Sequence, residues 1–183
     1  SSRKIVPGRT AAARRENMRI LDEGTLYVAT FTGNSPASEI DGSGALPSDG
    51  AFDGTGTWIP LMTVGADGRA VSHVEGMTPE QVAVHTRMAG DAVGATKMDR
   101  PEDVEPSPTT GKVYMALTNN TRRTVEQVDE PNPRHDNKHG QVVEITDDHA
   151  GTTFGWNLLL VCGDPAAADT YFGGFDKSKV SPI

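Results

Sequence analysis

The sequence predicts a mainly β fold of short antiparallel strands. Three observations predict it. Runs of β-branched and aromatic residues recur along the 183-residue chain, each closed by Gly, Pro, Asn or Asp. The 20 glycines and 12 prolines call for many turns. Helix signals are confined to two short segments. Strands at this spacing suit a sandwich, a barrel or a propeller. No strict repeat is visible within the chain. The stretch from Arg100 to Leu117 has the grammar of a propeller blade's inner strands. The expected class is therefore several blades of a β-propeller with helical and loop insertions.

The elements follow in order. The polar and basic start, residues 1–17, leads into a short helix around Ala11 to Arg19. Gly24 to Thr32 reads as a strand bounded by glycines. Residues 34–56 are poor in large apolar side chains and rich in Gly, Ser, Asp and Pro. They are expected to be an exposed, mobile loop insertion. Thr57 to Val64 is a second strand, with Pro60 arguing for an edge or a bulge. The two strands would form a hairpin with a long loop.

Thr78-Pro79-Glu80 opens a helix. Thr78 caps it, Pro79 suits the first turn, and Glu80 favours the positive end of the dipole. Apolar Val82, Val84, Met88, Ala89, Ala92 and Val93 carry it to about Gly94 as a packing element, the 79–94 helix insertion. Strands follow at Asp103–Glu105, Lys112–Leu117, Gly140–Thr146 and Phe154–Val161. The first two should form a buried hairpin.

Composition narrows the function. The net charge of −8 argues against a nucleic-acid partner, because phosphate backbones demand a basic face. It suits solubility, or cation binding by clustered carboxylates. No apolar run approaches the ~20 residues that a membrane span requires. Cys162 is the lone cysteine and ends an apolar strand, so it reads as packing. Both ends look like the middle of something longer.

The charged clusters beside the expected hairpin are the informative feature. In Asp99-Arg100-Pro101-Glu102-Asp103, Pro101 biases Arg100 towards extended backbone. Alternate side chains then share a face. Arg100 and Glu102 would point one way, Asp99 and Asp103 the other. A guanidinium forks onto phosphate oxygens, and a neighbouring carboxylate suits a hard cation such as calcium. The alternative is a plain salt bridge at a strand start. Thr118 to Arg123 reads as a turn knot whose amides and arginines could line the same mouth. Asn132 to Gly140 holds His135 and His139 four apart, but its Pro and Gly argue against a helical metal pair. It reads as a solvated loop. His73, His85 and His149 carry no role. P-loop, dinucleotide, EF-hand and serine-elbow patterns do not occur.

These residues carry a resemblance. The run DAVGATKMDRPEDVEPSPTTGKVYMALTNNTRR resembles the PhoX-type bacterial alkaline phosphatases. GTLYVATF, NPRHDNKHGQVVEI, HAGTTFGWNLLLVCGDP and YFGGFDKSKVSPI support it. The likeness runs from about Glu23 to Ile183 and weakens across 34–56. It implies a large β-propeller of which residues 1–183 are one segment. It implies hydrolysis of phosphate monoesters, calcium and iron as cofactors, and a periplasmic or extracellular enzyme exported in folded form. Residue by residue, Arg100 matches a family arginine that binds phosphate, and Glu102 a family glutamate that ligates calcium. Cys162 lies outside the context of the family's metal-binding cysteine. Family members are several times longer, so most metal ligands and the remaining blades would lie elsewhere. The isolated segment would be a poor catalyst. The competing expectation is a non-catalytic propeller module used for binding or as a scaffold.

Overall fold

A computed structural model describes Lys4–Lys179. The expectation about the closing residues 180–183 lies outside the described residues. The chain divides into two compact units.

The first unit comprises Ser1–Thr30 and Trp58–Ala95. It begins with helix α1, Ala11–Met18, close to the predicted bounds. Thr10 caps it by accepting a hydrogen bond from the Ala13 N–H. Strand β1 spans Gly24–Gly33 and β2 spans Asp53–Val64, so each passes from one unit into the other. Within this unit β2 also pairs with β3, Ala70–Ser72. That strand has three residues, too short for a legible alternation.

The predicted single helix is two. Helix α2 covers Pro79–Val84 and α3 covers Thr86–Ala92. The Thr78 and Gln81 side chains complete a capping box at the start of α2. His85 breaks the run at φ −114° and ψ 42°. Thr86 sits at the break, and its hydroxyl donates back to the Val82 carbonyl at 2.9 Å. Such back-bonding bends helices. The break also changes which face is buried. Val82 and Ala89 pack with Leu61 and Val74, whereas Val84 and Met88 stand exposed.

The second unit comprises Phe31–Thr57 and Thr96–Ile183. Its strands are β4 (Pro101–Pro106), β5 (Val113–Leu117), β6 (Gln141–Thr146) and β7 (Thr153–Val161). They pair antiparallel in the order β7-β6-β5-β4, and the first residues of β2 add to β7. Phe154, Trp156, Leu158, Val161, Val143 and Leu117 form the interior. Phe31 meets Phe154 and Trp156 edge-on at 5.1 and 5.8 Å. Gly56 lies opposite Phe154 in the β2–β7 register. A Cβ there would stand 2.0 Å from the phenyl ring, so only glycine lets the ring lie flat on the strand.

The β4–β5 hairpin is not buried on both strands. All six residues of β4 are exposed. It ends the strand order with one neighbour, and its sequence, Pro-Glu-Asp-Val-Glu-Pro, is that of a guarded edge.

The 34–56 segment is also less free than its composition suggests. Buried Glu130 accepts from the Ser35 N–H at 2.9 Å and from the Asp53 N–H at 3.1 Å, closing the two ends of the loop on one carboxyl. Gly33 lets that side chain in, since a Cβ would overlap Glu130. Midway, Gly42 receives two bonds from His135, through its N–H at 3.0 Å and its Nδ1 at 2.7 Å. Phe52 is fully buried. A loop rich in polar residues is fixed here by polar anchors, which apolar content does not report.

Two outcomes test this description. Glu130→Ala should destabilise by about 1–3 kcal/mol, because two backbone donors lose their acceptor. Limited proteolysis should then cut first within 34–52; unchanged cleavage would refute the anchoring. The second concerns Glu144. Burial pushes its carboxyl up, but the Lys112 ammonium at 2.7 Å and the Tyr114 hydroxyl outweigh it, so Glu144 titrates below the ordinary carboxylate value. A depressed carboxyl stabilises above the unfolded pKa, and the contribution fades as pH falls through the folded one. The melting-temperature gap between wild type and Glu144→Gln should therefore be wider at pH 7 than at pH 3, as thermal scans would show.

Candidate functional site

The two charged clusters meet at one place. Met98 leads into Asp99, β4 starts at Pro101, and β5 returns at Leu117 beside it. Arg100 does not adopt the extended backbone that a following proline favours. Its φ is +34°, in the left-handed region that non-glycine residues rarely hold. Its carbonyl accepts the Thr118 N–H at 3.1 Å. A register shift follows between Pro101 and Asp103, which sets Glu102 off the regular ladder. The turn and the bulge together bring Arg100 and Glu102 to one side, as alternation alone had suggested.

The Arg100 guanidinium donates to Asn119 Oδ1 at 3.0 Å and to Glu102 Oε1 at 3.4 Å. The Thr118 hydroxyl also approaches Glu102 Oε1, at 3.4 Å. The pair is half exposed, 58% and 51% by side chain, so as a surface ion pair it adds at most about 1 kcal/mol. A cavity of about 390 Å³ opens beside it. Arg100, Asn119, Asn120, Thr121 and Arg122 line it. The wall offers two guanidiniums, two amides and a hydroxyl, with no carboxylate, in a chain whose net charge is −8. Glu102 is not in that wall, so the expected pocket shared by Arg100 and Glu102 is, among the described residues, a pocket of Arg100 alone.

Asp99 and Asp103 do not share an environment. Asp103 is exposed and bonds locally to the Val104 N–H. Asp99 is fully buried. Its Oδ1 accepts from Arg123 Nε at 2.6 Å and Asn120 Nδ2 at 2.8 Å, and its Oδ2 from Asn137 Nδ2 at 3.1 Å. Its N–H donates to Asn132 Oδ1 at 2.8 Å. Arg123 also donates to the carbonyls of Lys97 and Gln127.

The Asn132–Gly140 segment is a solvated loop only in part: His135, Asp136, Lys138 and His139 are exposed. Asn132, Arg134 and Asn137 are all buried. Arg134 donates to the Cys162, Gly140 and Asn137 oxygens at 2.7–2.8 Å. Burial holds its guanidinium below its ordinary pKa. The signal available in the sequence was the density of Asn and Arg, which suits a buried polar network as well as a turn.

Among the described residues, no three His, Cys, Asp or Glu side chains gather as a metal site. Glu102 brings one carboxylate, while His135 is bonded to the Gly42 carbonyl. The described residues therefore do not by themselves assemble a donor set for calcium or iron. Cys162 is buried, as expected.

Comparison with known proteins decides the family. The sequence matches the family model described as alkaline phosphatase PhoX over residues 3–183. The chain belongs to the PhoX alkaline phosphatase family. A solved structure, "Pseudomonas fluorescens PhoX in complex with vanadate, a transition state analogue", is similar at 38% identity and a TM-score of 0.67. That likeness covers 94% of this chain and 28% of the Pseudomonas fluorescens chain. Among curated protein sequences none matches. The fold class read from the sequence, mainly β and part of a β-propeller, is the one found. The family assignment stands although Arg100 and Glu102 grip each other at the surface. In a chain spanning 28% of its neighbour, exposure says nothing of what else would cover the pair.

The structural assignment of Cys162 is directly testable. Burial raises its pKa, so the native protein should hold little thiolate at neutral pH. An aromatic disulfide reagent should label it slowly in the native protein and quickly in denaturant. Rapid native labelling would refute that assignment.

Proposed function

We propose that this chain carries the phosphate-binding part of a metal-dependent phosphatase acting on phosphate monoesters. The single observation that carries the reading is the cavity walled by Arg100, Arg122, Asn119, Asn120 and Thr121, cationic and amide in an acidic chain. A phosphoryl group brings charge spread over several oxygens. Phosphoryl transfer depends on positioning and electrostatic stabilisation. Arg100 would fork onto those oxygens, with Asn119 and Glu102 fixing the guanidinium plane. Arg122 would add positive field from the facing loop. The vanadate complex of the Pseudomonas fluorescens protein supports a site for such an oxyanion in the family.

Both contacts to Glu102 fall on Oε1, which leaves Oε2 for a hard cation. The reading assigns Glu102 as one calcium ligand and assigns no residue to iron. The other donors, like the rest of the propeller, would come from outside the described residues. Residues 1–183 would then be one segment of a larger propeller domain, with 34–56 and 79–94 as its insertions. The family likeness also supports a periplasmic or extracellular enzyme, which fractionation of the producing cell would check. No helix among the described residues is long and apolar enough to cross a membrane.

A second reading, a non-catalytic propeller module for binding or scaffolding, is favoured for the 183-residue piece by its described residues, which gather no three His, Cys, Asp or Glu side chains as a metal site. One assay separates the two. The full-length gene product, supplied with calcium and iron, should hydrolyse a chromogenic phosphate monoester. Arg100→Ala should lower kcat/KM by about 100-fold or more. Glu102→Ala should lose most activity and require more calcium for what remains. Full activity in Arg100→Ala would end the phosphate-clamp assignment, and an inactive wild type would favour the scaffold. The 183-residue chain alone should show no appreciable turnover.

A further inference from the structure

We infer that Asp99 is a positioning residue for the Arg100 site, holding both walls of the cavity from inside the fold. The inference rests on the reading of Arg100 as the phosphate contact. Nothing about Asp99 requires it to touch a substrate, since it is fully buried and absent from the cavity wall.

The first wall is Arg100 itself. Its left-handed backbone costs free energy, and such a conformation persists only when the surroundings over-determine it. On its C-terminal side the chain runs into Pro101 and the β4–β5 ladder. On its N-terminal side the chain is fixed by Asp99. Three side-chain donors and one backbone bond hold that residue. The donors all lie between Asn120 and Asn137. Arg100 is therefore clamped between a sheet edge and a buried carboxyl.

The second wall is the 119–122 loop. Asn120 lines the cavity, and its side-chain amide donates to Asp99 Oδ1. Its backbone exchanges two bonds with Asn137, at 2.7 and 3.1 Å. Asn137 in turn donates to Asp99 Oδ2. Arg123, one residue beyond the cavity wall, turns inward onto Asp99 while Arg122 stays outside. One carboxyl thus sets the span between Arg100 and the amides that face it. A shift of about 1 Å in such a span is enough to cost catalysis heavily.

A purely structural Asp99 and a positioning Asp99 differ in how their loss combines with loss of Arg100. The experiment uses the full-length, calcium- and iron-supplied enzyme. It compares wild type, Asp99→Asn, Arg100→Ala and the double variant. The readouts are kcat/KM and competitive inhibition by inorganic phosphate. Asp99→Asn keeps the shape but puts an amide hydrogen where an acceptor is needed. The expected result is a loss of about 10- to 100-fold in kcat/KM with weaker phosphate inhibition. The double variant should be hardly worse than Arg100→Ala, since acting through one group makes the losses non-additive. Wild-type kcat/KM in Asp99→Asn, or losses that simply multiply, would overturn the inference.

Asn137→Ala, outside the cavity wall, is run in parallel with the same cycle. If Asp99→Asn does not fold, it decides alone: a loss shared with Arg100→Ala supports positioning, and unchanged or multiplying rates overturn it. Full activity in Arg100→Ala would instead strike the proposed function. The two failures are therefore distinct.

Discussion

A carboxylate taken out of water must be met by donors, and the meeting of Asp99 with Arg123 at 2.6 Å is what the second unit is arranged around. Neither partner reaches solvent to any extent, at 0% and 6% exposure of the side chain. Removing either one would strand the other charge in the interior. The pair ties the strand entering β4 to a segment more than twenty residues later, and it recruits the Asn120, Asn132 and Asn137 amides on the way. The irregular stretch between β5 and β6 owes its order to this polar core. Its apolar content is too low to bury it otherwise.

The same pair explains how a cationic cavity can exist beside an acidic strand. Of the three arginines near the start of β4, Arg123 is neutralised within the fold by Asp99. Arg100 meets Glu102 at the rim, and Arg122 lines the cavity. No carboxylate of β4 lines that cavity.

Much of this was legible in the sequence, and the rest was hidden for physical reasons. Strands β1, β2, β5, β6 and β7 announced themselves by β-branched and aromatic runs between turn residues, and the Thr78 cap by the Pro79 and Glu80 that follow it. The break at His85 was invisible because it depends on a threonine hydroxyl choosing a carbonyl. The pairing of Arg100 with Glu102 followed from alternation, yet the conformation that produces it did not: local preference for extended backbone before proline was overridden by tertiary bonds. The buried role of Asn132, Arg134 and Asn137 was missed for a related reason. Polar residues signal exposure only until enough of them satisfy one another.

Glu130 and His135 together treat the 34–56 segment as a pinned ribbon rather than a free strap. Both ends close on one carboxyl, and the middle is tacked at Gly42. Between those fastenings lies the tight turn Pro47–Gly50, closed by a 2.9 Å backbone bond and steadied by Glu39, which accepts the Ser48 N–H at 2.6 Å and its hydroxyl at 3.1 Å. Its tip, Ser48 to Gly50, is exposed. That makes the turn a natural splice point: an epitope or a fluorescent label inserted there would ride on the surface while the fastenings on either side kept the strands in register.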